Sequence, residues 1–136
     1  MHGGLLDLGG GRVGRMKLFF TLGATFAALA VVFGAFGAHA LRNTLAAADL
    51  ATFETGVRYQ MYHALGLLVV AWATTQWNSG TIVAAGWAFV IGILVFSGSL
   101  YTLVLTGQRW LGAVTPIGGV AFIVGWLLLA WSAFRS

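Results

Sequence analysis

The chain has 136 residues, 60% of them hydrophobic and 7% charged, and its mean hydropathy of +0.92 excludes an ordinary soluble domain. Its formal charge of +4 comes from seven Lys and Arg residues scattered along the sequence. No basic stripe forms, which argues against a nucleic-acid partner; basic residues beside apolar segments read instead as topology signals and anionic-lipid contacts. The absence of cysteine removes disulfides, thiolate catalysis and Cys-ligated metals.

Residues 1–16 read as a Gly-rich leader ahead of a four-span domain over 17–136. Residues 1–15 hold six glycines and no apolar period long enough for a helix, so the leader is expected to be disordered alone. Ordering it would draw on a neighbouring subunit, lipid or pigment.

The first span covers about 18–41. It ends in Ala38-His39-Ala40, like a signal-peptide cleavage site. Its apolar part, however, runs to about 20 residues against about 7–15 for a signal h-region, so it reads as a transmembrane helix. The second span covers about 58–77, in a helix that begins earlier with Asp49 as N-cap before Leu50, Phe53 and Val57. Asn78-Ser79-Gly80 makes a polar turn, which forces the second and third spans to be antiparallel neighbours. The third span covers about 81–105, and Thr106-Gly107-Gln108-Arg109 breaks it. The fourth covers about 115–134, with Thr115 as N-cap and Pro116 at the first helical position, where its missing N–H costs nothing; the alternative is a helix from Trp110 kinked at Pro116. Uncharged stretches separate Lys17 from Arg42, Arg58 from Arg109 and Arg109 from Arg135. Spans of about 20 residues match the thickness of a bilayer. The expected fold is all-α, an integral membrane four-helix up-down-up-down bundle.

Small residues line the helices: Ala30, Gly34 and Ala38 in the first, Ala84, Ala88 and Gly92 in the third, Ala121 and Gly125 in the fourth. In lipid, close backbone approach is a main source of helix association. These stripes serve either packing within the bundle or contact with another subunit. Tryptophans at 77 and 131 on one side and 110 on the other fit an aromatic belt.

Polar residues gather in one leaflet. His39 and Arg42 end the first span, Glu54 to His63 open the second, Ser97, Ser99, Tyr101 and Thr102 close the third, and Thr115 opens the fourth. On a helical wheel Thr55, Arg58, Tyr59, Tyr62, His63 and Gly66 share one arc, with Val57, Met61, Ala64 and Leu68 opposite and facing lipid. Glu54 precedes Arg58 by four residues, the favourable order for an ion pair.

The polar cluster of Glu54, Arg58, Tyr59, Tyr62, His63 and His39 has three readings. It caps the bundle against the loop at 42–57, with Arg58 on Glu54 or a backbone carbonyl. Alternatively it forms a small pocket for a lipid headgroup or solute, because ionisable groups at membrane depth usually face protein or water. In the third, His39 and His63 are axial ligands to a haem or chlorophyll-type pigment, with small residues before His39 admitting a flat macrocycle. Metal binding is not expected, since Asp7, Asp49 and Glu54 are the only side-chain carboxylates. Ser97 and Ser99 lack an obvious base unless a histidine reaches them, so no enzymatic activity is expected.

Gly34-Ala-Phe-Gly-Ala-His-Ala-Leu-Arg42, Tyr59-Gln-Met-Tyr-His-Ala-Leu-Gly66, Ser97-Gly-Ser-Leu-Tyr101 and Thr115-Pro-Ile-Gly-Gly119, followed by Gly125-Trp126, resemble the YgdD/YwdK-type small membrane proteins, an uncharacterised four-span family. The resemblance covers about residues 17–131, and residues 1–16 depart from it. It implies the fold and an inner-membrane location, and no activity.

The functional expectation is a non-enzymatic, multi-pass accessory subunit of a larger bioenergetic membrane complex, partnered by lipids and by other subunits or further copies of itself. The alternatives are a small transporter or channel-like protein using the polar leaflet, or the pigment-binding protein described above. Both termini are assigned to the cytoplasm on a margin of four basic residues, Arg12, Arg15, Lys17 and Arg135, against three, Arg42, Arg58 and Arg109.

Overall fold

A computed structural model of the chain describes residues 11–136; what the sequence leads one to expect of residues 1–10 lies outside them. The described residues form four helical rods of alternating direction. The first is α1 (Arg12–Phe36), extended by a π-helical turn at Gly37–Leu41, and the second is α2 (Ala47–Gln76). The third joins α3 (Gly80–Gly92) through a π-helical turn at Ile93–Ser97 to α4 (Gly98–Thr106). A 3₁₀ segment at Arg109–Ala113 leads into the fourth, α5 (Thr115–Arg135).

Three rods, Arg12–Leu41, Gly80–Thr106 and Arg109–Arg135, are long and apolar enough to cross a membrane. The rod α2 is long enough, at 30 residues, but less apolar, because it carries Gln60, His63 and Thr74 in the interior. α1 packs chiefly on α2, and α5 chiefly on α3, so the α2 and α3–α4 rods occupy the middle with α1 and α5 as flanks. The most apolar stretch of the α3–α4 rod is 56% buried, against 17% in each flanking rod. The outward faces of the flanks remain apolar, with Val31 62%, Leu127 65% and Phe134 82% exposed; in an integral membrane protein lipid covers such faces.

What joins the rods is a set of phenylalanines seated over glycines. Phe19 of α1 lies over Gly86, Phe122 of α5 over Gly92, Phe89 of α3 over Gly125 and Gly66, and Phe96 over Gly118. Each glycine lets a ring reach the neighbouring backbone, so dispersion contacts replace the water-driven burial that is missing in lipid. Among the small residues singled out in the sequence, Ala30, Ala88, Gly92 and Gly125 are buried, whereas Ala38 and Ala84 face outward.

Three local expectations need correction. The first helix begins at Arg12, so the last residues assigned to the leader belong to it. Asp49 is not the N-cap of α2: Ala46 holds that position, and Asp49 lies in the first turn, where a carboxylate favours the helix dipole and binds Arg109 at 3.0 Å. α5 starts where expected, but Val114 is its N-cap; the Thr115 hydroxyl instead donates back to Leu111 O at 3.2 Å, and the 3₁₀ segment stands where the alternative put a kinked helix. The third rod ends as the break at 106–109 predicts, with Gly107 at φ +75° closing it in the left-handed region that glycine tolerates.

Candidate functional site

The polar residues of α2 divide between two faces. Gly56, Gln60, His63, Leu67, Val70 and Thr74 form the buried stripe. Tyr62, Leu65, Val69 and Trp72 form the exposed one. The expected arc is therefore rotated away from the true interior. Ala64, assigned to lipid, is fully buried, while Glu54, Arg58, Tyr59, Tyr62 and His39 are all exposed. Of the six residues in the expected cluster only His63 is inside. Gln60, which fell outside the arc, is its buried companion at 2% exposure.

Gln60 ties three rods together. Its amide nitrogen donates to Phe26 O of α1 at 2.8 Å, and its amide oxygen accepts from the Tyr101 hydroxyl of α4 at 2.7 Å. The Tyr101 ring packs edge-on against Phe33 at 5.2 Å and tilted against Phe53 at 5.0 Å. One turn earlier, Ser97 donates to the Gly56 carbonyl at 2.6 Å. Ser99 and Thr115 share a hydrogen bond of 2.5 Å that fixes α4 to the start of α5. These contacts bring Gln60, Ser97 and Tyr101 together and pair Ser99 with Thr115.

His63 is held from both sides. Its Nδ1 bonds Tyr59 O at 2.8 Å, and a carbonyl can only accept, so Nδ1 carries the proton. Its Nε2 takes the Trp126 indole N–H at 3.0 Å, and an indole can only donate, so Nε2 is bare. Both nitrogens are committed in one neutral tautomer, with the ring stacked on Phe122 at a centroid distance of 3.5 Å. An axial ligand needs a free nitrogen, and His63 has none to offer. His39 lies in the outward π-helical turn after α1, so the two histidines do not bracket a macrocycle. The residues do not fit the pigment expectation, and His39 and His63 are corrected as cofactor ligands. At the opposite end of the bundle Trp77 donates to Ser132 at 3.1 Å, joining the end of α2 to α5. Among the described residues every buried side-chain polar atom has a hydrogen-bond partner.

Nor does the expected Glu54–Arg58 ion pair form. Arg58 reaches only the Thr55 hydroxyl, at 3.5 Å, and the single ion pair among the described residues is Asp49–Arg109. Glu54 and Arg58 instead flank a notch of about 230 Å³ between α1 and α2, completed by Gly34, Gly37, Phe53 and Val57. No group of three or more His, Cys, Asp or Glu side chains is placed to hold a metal among the described residues.

The arrangement is a set of side-chain ties between transmembrane helices, and comparison with other proteins agrees in kind. Residues 33–119 match the family described as "Protein of unknown function (DUF423)". The chain is 49% identical over 121 residues to the UPF0382 membrane protein YwdK of Bacillus subtilis, covering 88% of this chain and 98% of that protein. A UPF0382 membrane protein of Staphylococcus saprophyticus is 52% identical over 122 residues, covering 88% of this chain and 99% of its own. One from Staphylococcus epidermidis is 53% identical over 122 residues, covering 88% and 98%. No solved structure matches. With half its residues shared along nearly the full length of proteins named for the membrane, and with three of its four helical rods long and apolar enough to cross one, the chain belongs to the DUF423/UPF0382 family of multi-pass membrane proteins.

Proposed function

We propose that this chain is a non-enzymatic helical subunit that packs within a larger membrane complex, a bioenergetic one on the sequence reading, in the cytoplasmic membrane with both termini inside. One observation carries the reading: the polar groups set at membrane depth are spent on one another. Gln60, Ser97, Tyr101, His63 and Trp126 use their donors and acceptors to join neighbouring helices. A catalytic or transport site would hold such groups ready for substrate. A bundle so committed is suited to presenting fixed lateral surfaces, and its outer faces, α1 and α5, are apolar along their length.

The test uses the full chain twice. In native gels of mildly solubilised membranes it is expected to migrate well above its own size with a partner in fixed stoichiometry. Reconstituted alone in liposomes, it is expected to give no saturable solute flux. Saturable flux by the purified chain would overturn the reading in favour of a small transporter. Orientation is read separately, from reporter fusions at the C-terminus and in the 107–109 connection, which should report opposite sides of the membrane.

A further inference from the structure

The notch beside Arg58 stands apart from the interior network. Counting back from Gln76 at the α2–α3 turn, the helix rises about 27 Å to reach Arg58, close to the hydrocarbon thickness of about 30 Å. Arg58 therefore sits at the edge of the apolar core opposite that turn, level with lipid phosphates, and Glu54 lies one turn further toward water. Neither charge is neutralised among the described residues. Arg58 has only the long contact to Thr55, and Glu54 is in no ion pair. Between and below them the wall recedes. A methyl group built on Gly34 would lie 3.4 Å from Val57, and one on Gly37 would lie 3.0 Å from Phe53. The glycines thus let Phe53 and Val57 pack close against α1, and these two side chains make the wall of the notch apolar beside Glu54 and Arg58.

The geometry points to a binding site for one zwitterionic phospholipid bearing a primary amine. Its phosphate meets Arg58 and its ammonium meets Glu54, so that the headgroup itself seats in the notch beside Gly34 and Gly37. The charge order matches the lipid: cation at the phosphate level, anion one turn outward. The two carbons between phosphate and ammonium in an ethanolamine headgroup suit side chains about 5–6 Å apart on one helix face. An anionic lipid would satisfy Arg58 and leave Glu54 repelled. A choline headgroup would bring a cation with no N–H to donate to the carboxylate.

The experiment titrates the delipidated, full-length chain in detergent with dioleoyl phosphatidylethanolamine, phosphatidylcholine and phosphatidylglycerol, reading bound lipid by native mass spectrometry. Phosphatidylethanolamine is expected to bind one site about three- to fivefold more tightly than phosphatidylcholine, the scale of one partly solvated ion pair. Glu54→Gln should remove that preference and keep phospholipid binding; Arg58→Gln should weaken all three lipids. Both side chains are exposed, so the variants should fold as the parent does, checked by helical circular dichroism. Equal binding of the ethanolamine and choline lipids to the parent would overturn the proposal, as would an undiminished preference in Glu54→Gln. Tightest binding of phosphatidylglycerol would do the same by making the site a plain anion site.

Discussion

The inner and outer faces of α2 treat polar side chains in opposite ways. Gln60 and His63, on the inner face, have their donors and acceptors matched by Phe26, Tyr101, Tyr59 and Trp126. Glu54 and Arg58, a turn or two away, carry full charges and have almost no partners among the described residues. Lipid solvates neither kind of group, so the difference is one of position. The inner pair must be satisfied by protein because no water reaches it, whereas the outer pair lies where headgroups and water do that work. Interior polarity here is structural, and peripheral polarity is left for recognition.

Substitutions can break or sharpen that contrast. The largest effect is expected at Gly23, whose missing side chain lets α1 meet α2. A methyl group there would stand 2.8 Å from the backbone oxygen of Ala64, and backbone cannot swing aside as a side chain would. Gly23→Val should force the helices apart, with a loss of about 2–3 kcal/mol in reversible unfolding from detergent and bicelles. Next comes Gln60→Leu, which fits the cavity but removes two interhelical bonds and leaves the Tyr101 hydroxyl without its acceptor. A loss of about 1–2 kcal/mol is expected in the same assay, and Tyr101→Phe added to Gln60→Leu should cost little more, because the pair acts as one tie. A smaller effect is expected for the His63–Trp126 bond. A double-mutant cycle with His63→Phe and Trp126→Phe should give a coupling of about 0.6 kcal/mol, typical of interhelical hydrogen bonds in membranes. A coupling indistinguishable from zero would show that stacking on Phe122, not the hydrogen bond, holds the imidazole.

Much of the fold was readable because apolar length and turn chemistry are local properties. The Asn78-Ser79-Gly80 turn and the break at Thr106-Gly107 fall where the helices end, with Ser79 capping α3 through the Thr81 amide. Gly34, Gly92 and Gly125 sit at helix crossings as their spacing suggests. What the sequence could not orient was α2. A polarity wheel pools Arg58, Tyr59 and Tyr62 with His63, although Arg58 reaches the membrane edge and all three are exposed on the outer face. A better signal was available in chemistry: an uncharged amide such as Gln60 gains less from a phosphate than a guanidinium does and cannot be left bare among lipid tails, so it belongs inside. Gly56, one turn before it, marks the same face, where Tyr101 closes upon it. Phenylalanine pairing with glycine across helices was invisible for another reason: it depends on which rods are neighbours, which no single-helix periodicity encodes.

The smallest effect is expected where both partners meet water. Asp49 and Arg109 form a 3.0 Å ion pair that clips the first turn of α2 to the segment before α5, with the two side chains 23% and 68% exposed. A second contact, from the other guanidinium nitrogen at 3.4 Å, makes the pair nearly bidentate, which improves its geometry but not its dielectric. Exposed pairs gain little because water and salt compete for each charge. Asp49→Asn should accordingly leave unfolding in ordinary buffer unchanged within error. The clip should nevertheless be detectable as local order: at low salt, amide exchange of residues 47–52 should be faster in Asp49→Asn than in the parent, and raising the salt should erase the difference by loosening the parent. If the variant instead unfolded as readily as Gln60→Leu, the division between structural interior and recognition periphery would not hold, because a solvent-facing charge would be carrying a share of the fold.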